Sequence, residues 1–277
     1  MWLERMPNTL WAAFPVVLAV LAVRPVSRRQ VRRFVDRYGV AASSGAPAAL
    51  SGLILRNRAS RLIGAAIGCS LPSLAFAIGT AIPNAGEGIL YGVSGYLIGA
   101  FVAALLPTQP ATRQRRASLV PRRSGDYLPR LALITPAVAI AVSVASSIVY
   151  LVEPRRAIPT FFGAETPIGG LVLAVVAGVA TVIAVRIVVA RPQPLNTPEL
   201  AAVDEAVRTQ ALHTLTGAGL AVALTGTGSC LFDMGGFATN PWFHTAGWVG
   251  GGAALVGALI AWLFRSAPWR VSRYLPS

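Results

Sequence analysis

Residues 168–190 read IGGLVLAVVAGVATVIAVRIVVA, 23 positions with a single charge, Arg186, close to the end. A helix rises about 1.5 Å per residue, so about 20 apolar residues cross the roughly 30 Å hydrocarbon core of a bilayer. A backbone amide left unpaired in lipid costs several kcal/mol, so a lone apolar run of this length is stable there only as a helix. The stretch predicts a transmembrane helix, and the same pattern recurs on both sides of it.

Comparable runs lie at 9–23, 62–82, 89–106, 131–152, 215–231 and 245–264. With 168–190 they predict an all-α, polytopic transmembrane bundle of about seven helices, a single integral membrane domain over 1–277. The first run is short and contains Pro15. Only Arg5 and Glu4 supply charge ahead of it, and no small-residue cleavage pattern precedes Arg24, so it is expected to be a membrane helix rather than a signal peptide. Composition agrees with the class. Only 12% of residues are charged, against about a quarter in soluble domains, and the mean hydropathy is +0.63.

The 24 basic residues outnumber the 10 acidic ones, and all of them are arginine. Without lysine the chain cannot form a Schiff base with retinal or pyridoxal phosphate. No cofactor is expected. The arginines stand between apolar runs rather than on a soluble face with stacking aromatics, which points away from nucleic acid and toward anionic lipid. Cys69 and Cys230 lack the paired spacing of a zinc or redox motif and are read as small packing residues.

Arginine placement also predicts orientation, because basic residues beside membrane helices are retained in the cytoplasm. Segment 24–61 holds nine, 107–130 six, 191–214 two and the tail after 264 three, which is 20 on one side. The other side has Arg5, Arg155 and Arg156. The expected topology is N-out, C-in, in the inner (plasma) membrane of the cell.

Two cytoplasmic segments have a helical pattern of their own. Over 27–39, with Ser27 as N-cap and Gly39 as stop, Val31, Phe34, Val35 and Tyr38 recur at i, i+3, i+4 and i+7. Arg28, Arg29, Arg32, Arg33 and Arg37 fill the remaining positions. This predicts an interfacial helix that binds the anionic inner leaflet through those five arginines with Phe34 and Tyr38, each charge contributing about 1 kcal/mol near the surface. Residues 41–49 read as a flexible connector. Over 197–214, Thr197-Pro198 opens a helix whose early acids, Glu199, Asp204 and Glu205, suit the positive end of its dipole. The segment is either an extension of the sixth membrane helix or a docking helix in which Glu199, Asp204, Glu205 and Arg208 meet a cytoplasmic ATPase or another membrane subunit.

Gly99 to Leu106 (GAFVAALL) is similar to Gly257 to Phe264 (GALIAWLF), and the first and fifth runs both close on Arg-Pro, at Arg24-Pro25 and Arg191-Pro192. These matches suggest 3+1+3 parallel repeats, with the fourth helix as connector. That arrangement resembles the topology of the SWEET sugar carriers. The resemblance is one of topology alone: Pro192-Gln193 falls in a cytoplasmic segment, whereas that family carries Pro-Gln within helices.

Gly92-Val93-Ser94-Gly95 resembles the serine motif of rhomboid intramembrane proteases, and His244-Thr245-Ala246-Gly247, continuing to Gly251, is similar to that family's histidine helix. The resemblance covers about twenty residues and implies a Ser94 nucleophile with His244 as base. It departs from the family in helix order, with three helices rather than one between the two motifs, and in lacking an upstream histidine for the oxyanion. As a structural feature, the same glycines allow close helix packing. Asp233, His244 and Cys230 match no metal-ligand spacing, and no metal is expected.

Large basic segments and the absence of a nucleotide-binding motif favour a permease-like component of a transport or export system, with energy supplied by a partner and no catalysis of its own. The alternatives are an intramembrane serine hydrolase using Ser94 and His244, and a membrane scaffold or sensor.

Overall fold

The computed structural model describes residues 8–38, 46–77, 85–106, 115–116, 124–153, 168–191, 193–194 and 198–265. It is all-helical apart from one antiparallel pair of two-residue strands, β1 (Arg115–Arg116) and β2 (Gln193–Pro194). The helices are α1 (Asn8–Val23), α2 (Arg28–Tyr38), α3 (Ala46–Ala77), α4 (Ala85–Leu105), α5 (Arg130–Val152), α6 (Ile168–Val189), α7 (Pro198–Phe237) and α8 (Pro241–Arg265). A 3-10 turn at Ser124–Asp126 precedes α5.

Four of these helices are long and apolar enough to cross a membrane: α5, α6, α8 and the Val203–Phe237 part of α7. The apolar stretch of α4 is shorter, Gly92–Leu105, and α1 has 16 residues. The expected bounds shift in two places. Residues 46–49, read as connector, already belong to α3, because Ala46, Pro47, Ala48 and Ala49 make a first turn that tolerates proline near its start. Of the two readings of 197–214, the structure has the extension of the sixth predicted membrane helix: from Pro198 to Phe237 the chain is one unbroken 40-residue helix. No glycine or proline stands between Pro198 and Thr216 to stop it.

The chain forms two compact units. The first contains 1–121, 191–211 and 269–277, and the second contains 122–190 and 212–268. In the first, α3 packs against α4 and α1, with α2 beside α3. Glycine brings α3 and α4 together: a Cβ at Gly95 would collide with the Gly64 carbonyl, and one at Gly99 with the Ser60 carbonyl. Small residues permit this approach in membranes, where the hydrophobic effect does not drive helices together.

In the second unit α7 is the central helix. It meets α5 through Ser143 and Thr227, α6 through Gly170 and Gly226, and α8 through Gly235 and Gly247. The outer faces are aliphatic: Ile134, Val138 and Ile148 on α5, Val172, Val176 and Ile183 on α6, and Val249, Val256 and Leu259 on α8 are exposed. The interior has smaller and more polar residues, among them Ala174, Ala223, Ser143 and Thr181, all buried. Large apolar side chains outside and small ones inside is the arrangement lipid selects. The chain is a membrane-embedded helical protein.

Candidate functional site

The arginine-rich residues of the first unit converge on one structured region, built from α2 upward. Ser27 and Gln30 make a reciprocal capping box: the Ser27 amide donates to Gln30 Oε1 at 3.0 Å and the Gln30 amide to Ser27 Oγ at 3.3 Å. The box starts α2 in a register that puts its apolar stripe on one side. Arg28, Arg29, Arg32 and Arg33 face outward, with Arg32 in a loose exposed pair with Asp36 at 4.0 Å.

The apolar stripe has a protein partner. Phe34 and Tyr38 are buried with Leu50 of α3 and Val203, Ala206 and Val207 of α7, and Val31, Val35, Leu53 and Ile54 close around them. The two rings stack at a tilt, centroids 4.6 Å apart. Phe34 and Tyr38 were expected to enter lipid; they complete a small core instead. The i, i+3, i+4, i+7 pattern specifies that one face is buried and is silent about what buries it. The side chain of Arg37 lies outside the described residues.

The first turns of α7 are held from within the same unit. Arg208 donates from Nη2 to Asp204 Oδ2 at 2.9 Å and from Nη1 to the Arg191 carbonyl at 2.9 Å. Their side chains are 3% and 11% exposed, so this i,i+4 pair is internal rather than a surface contact. Of the four residues expected to meet a partner, Arg208 and Asp204 therefore act inside the fold. Glu205 is half-buried, and the Glu199 side chain lies outside the described residues.

Arg191 extends this network to α4. Its guanidinium donates to the carbonyls of Ala104 at 3.4 Å, Leu106 at 3.5 Å and Leu105, and Arg56 of α3 donates to Leu106 at 3.4 Å. The last carbonyls of a helix lack intrahelical donors and carry about half a negative charge, so two guanidiniums satisfy both requirements. Burial, together with the neighbouring Arg208 and Arg56, holds the Arg191 guanidinium below its ordinary pKa, with Asp204 opposing. Burial lowers Arg56 likewise. Two residues along α3, Arg58 has Nε and Nη2 buried without a hydrogen bond among the described residues. Reading by segments missed this node. Its one visible signal was Arg-Pro directly after an apolar run.

The other sequence candidates lie elsewhere. Ser94 is half-buried on α4 of the first unit, and His244 is on α8 of the second. His244 Nδ1 lies 2.7 Å from the Gly235 carbonyl, which can only accept, so Nδ1 is the donor of this contact. The ring packs edge-on toward Trp248. Asp233 is buried within α7, which continues four residues further. Cys230, one turn before it, is buried against Gly170. Among the described residues no group of three or more His, Cys, Asp or Glu side chains is arranged to hold a metal.

The chain matches no protein-family model, no curated protein and no solved structure.

Proposed function

We propose that this chain is a multi-pass, permease-like component of a transport or export system, with seven membrane helices, its N-terminus outside and its C-terminus in the cytoplasm. α1, α3 and α4 would supply three crossings in addition to the four long apolar helices. The observation that carries the reading is α7. Its apolar Val203–Phe237 window is long enough to cross, and the same helix begins at Pro198, inside the arginine-rich unit. The charged residues Glu199, Asp204, Glu205 and Arg208 thus lie on the same continuous helix as a stretch long enough to cross, which supports a component driven by a cytoplasmic partner. Glu199 and Glu205 at the start of α7 would present acidic charge to an ATPase or second membrane subunit. The outward arginines of α2 would rest on anionic lipid.

Co-purification in mild detergent after crosslinking tests the proposal. An ATPase or a second membrane subunit should be recovered, and in reduced amount with Glu199→Lys/Glu205→Lys. Recovery of the chain alone would remove the partnered reading. Reporter fusions at Asn84, Ala157 and the C-terminus test orientation, and an external C-terminus would reverse it.

A further inference from the structure

We propose that Asp233, with the polar residues beside it on α5 and α7, is a binding site for a monovalent cation, either a proton or a sodium ion. Asp233 is 5% exposed and stands within the apolar Val203–Phe237 window of α7. Among the described residues its carboxyl has no ion pair and no hydrogen-bond donor. An isolated ionised carboxylate is among the costliest groups to bury, and a membrane protein retains one where an ion binds or passes. Asp233 is also four residues from the end of α7 at Phe237, where the helix dipole disfavours a negative side chain. Burial and position both call for a compensating positive charge.

The surroundings fit a small cation. The Cys230 thiol, one turn before Asp233, borders the hydroxyls of Ser143 and Ser147 and lies within electrostatic reach of the carboxyl. Ser147 donates to the Ser143 carbonyl at 2.8 Å and Ser143 to the Ala139 carbonyl at 2.9 Å. Each hydroxyl has a single proton, so their oxygens are left as acceptors, which suit a cation and cannot neutralise a carboxylate. The packed helices supply no counter-charge among the described residues either. At this end α5 brings Tyr150, whose ring packs on Phe237, and Glu153, which accepts from Thr239 and the Asn240 amide. α8 brings His244, which donates to the Gly235 carbonyl. The one charge of α6, Arg186, is far along that helix from the Gly170 that packs on Cys230. The site requires that α7 lies in a membrane, and not that the chain is a permease; on the permease reading, Asp233 is where an ion gradient would act.

Infrared difference spectroscopy on the chain in phosphatidylcholine liposomes tests this, because carboxyl bands are separate from those of thiol, phenol and imidazole groups. One arm raises the pH from about 5 in sodium-free choline buffer, a range in which exposed carboxyls, with pKa about 4, are already mostly ionised. The other arm exchanges choline for sodium at constant pH. Each is run on the native chain, Asp233→Asn, Glu153→Gln and the double variant Arg155→Gln/Arg156→Gln, whose arginines lie outside the described residues. One carboxyl band should respond in the native chain, be lost in Asp233→Asn and persist in the other two variants. A response to pH alone identifies a proton site, and a response to sodium identifies a sodium site. An Asp233 carboxylate band indifferent to both would overturn the proposal. So would a response that appears only when Arg155 and Arg156 are replaced, since an arginine would then be the counter-charge. If Asp233→Asn does not fold, Asp233→Glu, which moves the band rather than removing it, carries the comparison.

Discussion

Ser143 Oγ on α5 and Thr227 Oγ1 on α7 lie 2.9 Å apart in the buried centre of the second unit. Thr227 also reaches the Ala139 carbonyl on α5 at 3.1 Å, so the two helices are joined by side-chain and backbone acceptors at one level. Hydrogen bonds between membrane helices are worth about 0.6 kcal/mol on average, and at most about 1.7. Thr227→Val preserves shape and removes both cross-helix contacts, so a loss of about 1 kcal/mol is expected. Ser143→Ala should cost less, because Thr227 keeps Ala139. Reversible unfolding in mixed micelles would measure both.

The approach of α3 and α4 gives a second expectation. A Cβ at Gly95 meets the Gly64 carbonyl, which is backbone and cannot rotate away. Gly95→Ala should force the helices apart and cost roughly 1–3 kcal/mol, typical of overpacking. Gly52→Ala, on the same α3 with open space around it, should be neutral or slightly stabilising. A destabilised Gly52→Ala beside a tolerated Gly95→Ala would show that the helices do not pack in this register.

The small core beneath α2 separates packing from charge. Phe34→Ala should cost about 3 kcal/mol and release α2, measured as new protease cleavage within 28–38. Arg28→Gln and Arg29→Gln, both exposed, should leave protease resistance unchanged, within about 0.5 kcal/mol of the native chain. Equal effects from both kinds of substitution would argue against the packing of Phe34 on α7.

The Arg208–Asp204 pair should show the asymmetry of buried charges. Removing one partner leaves the other uncompensated, at a cost of roughly 3–5 kcal/mol. The double variant Asp204→Leu/Arg208→Met should be less damaged than either single change. A double-variant cycle on unfolding midpoints measures this, and additive losses would mean that the two groups do not interact.

The membrane class and the approximate positions of the helices were legible in the chain itself. A long apolar run such as 168–190 has one stable backbone solution in lipid, and that solution depends on local composition alone. The amphipathic pattern of 27–39 likewise announced α2, because Ser27, Gln30 and the apolar spacing lie within one short segment. What buries that stripe was decided elsewhere: Phe34 and Tyr38 meet Val203 and Val207, about 170 positions away. Arg191 on the α4 carbonyls, Arg208 on the Arg191 carbonyl and Thr227 on Ser143 are also contacts between distant segments. Periodicity specifies which face of a helix is apolar and how long the helix is. It contains no term for which distant face or charge will complete it, and only the tertiary packing supplies that partner.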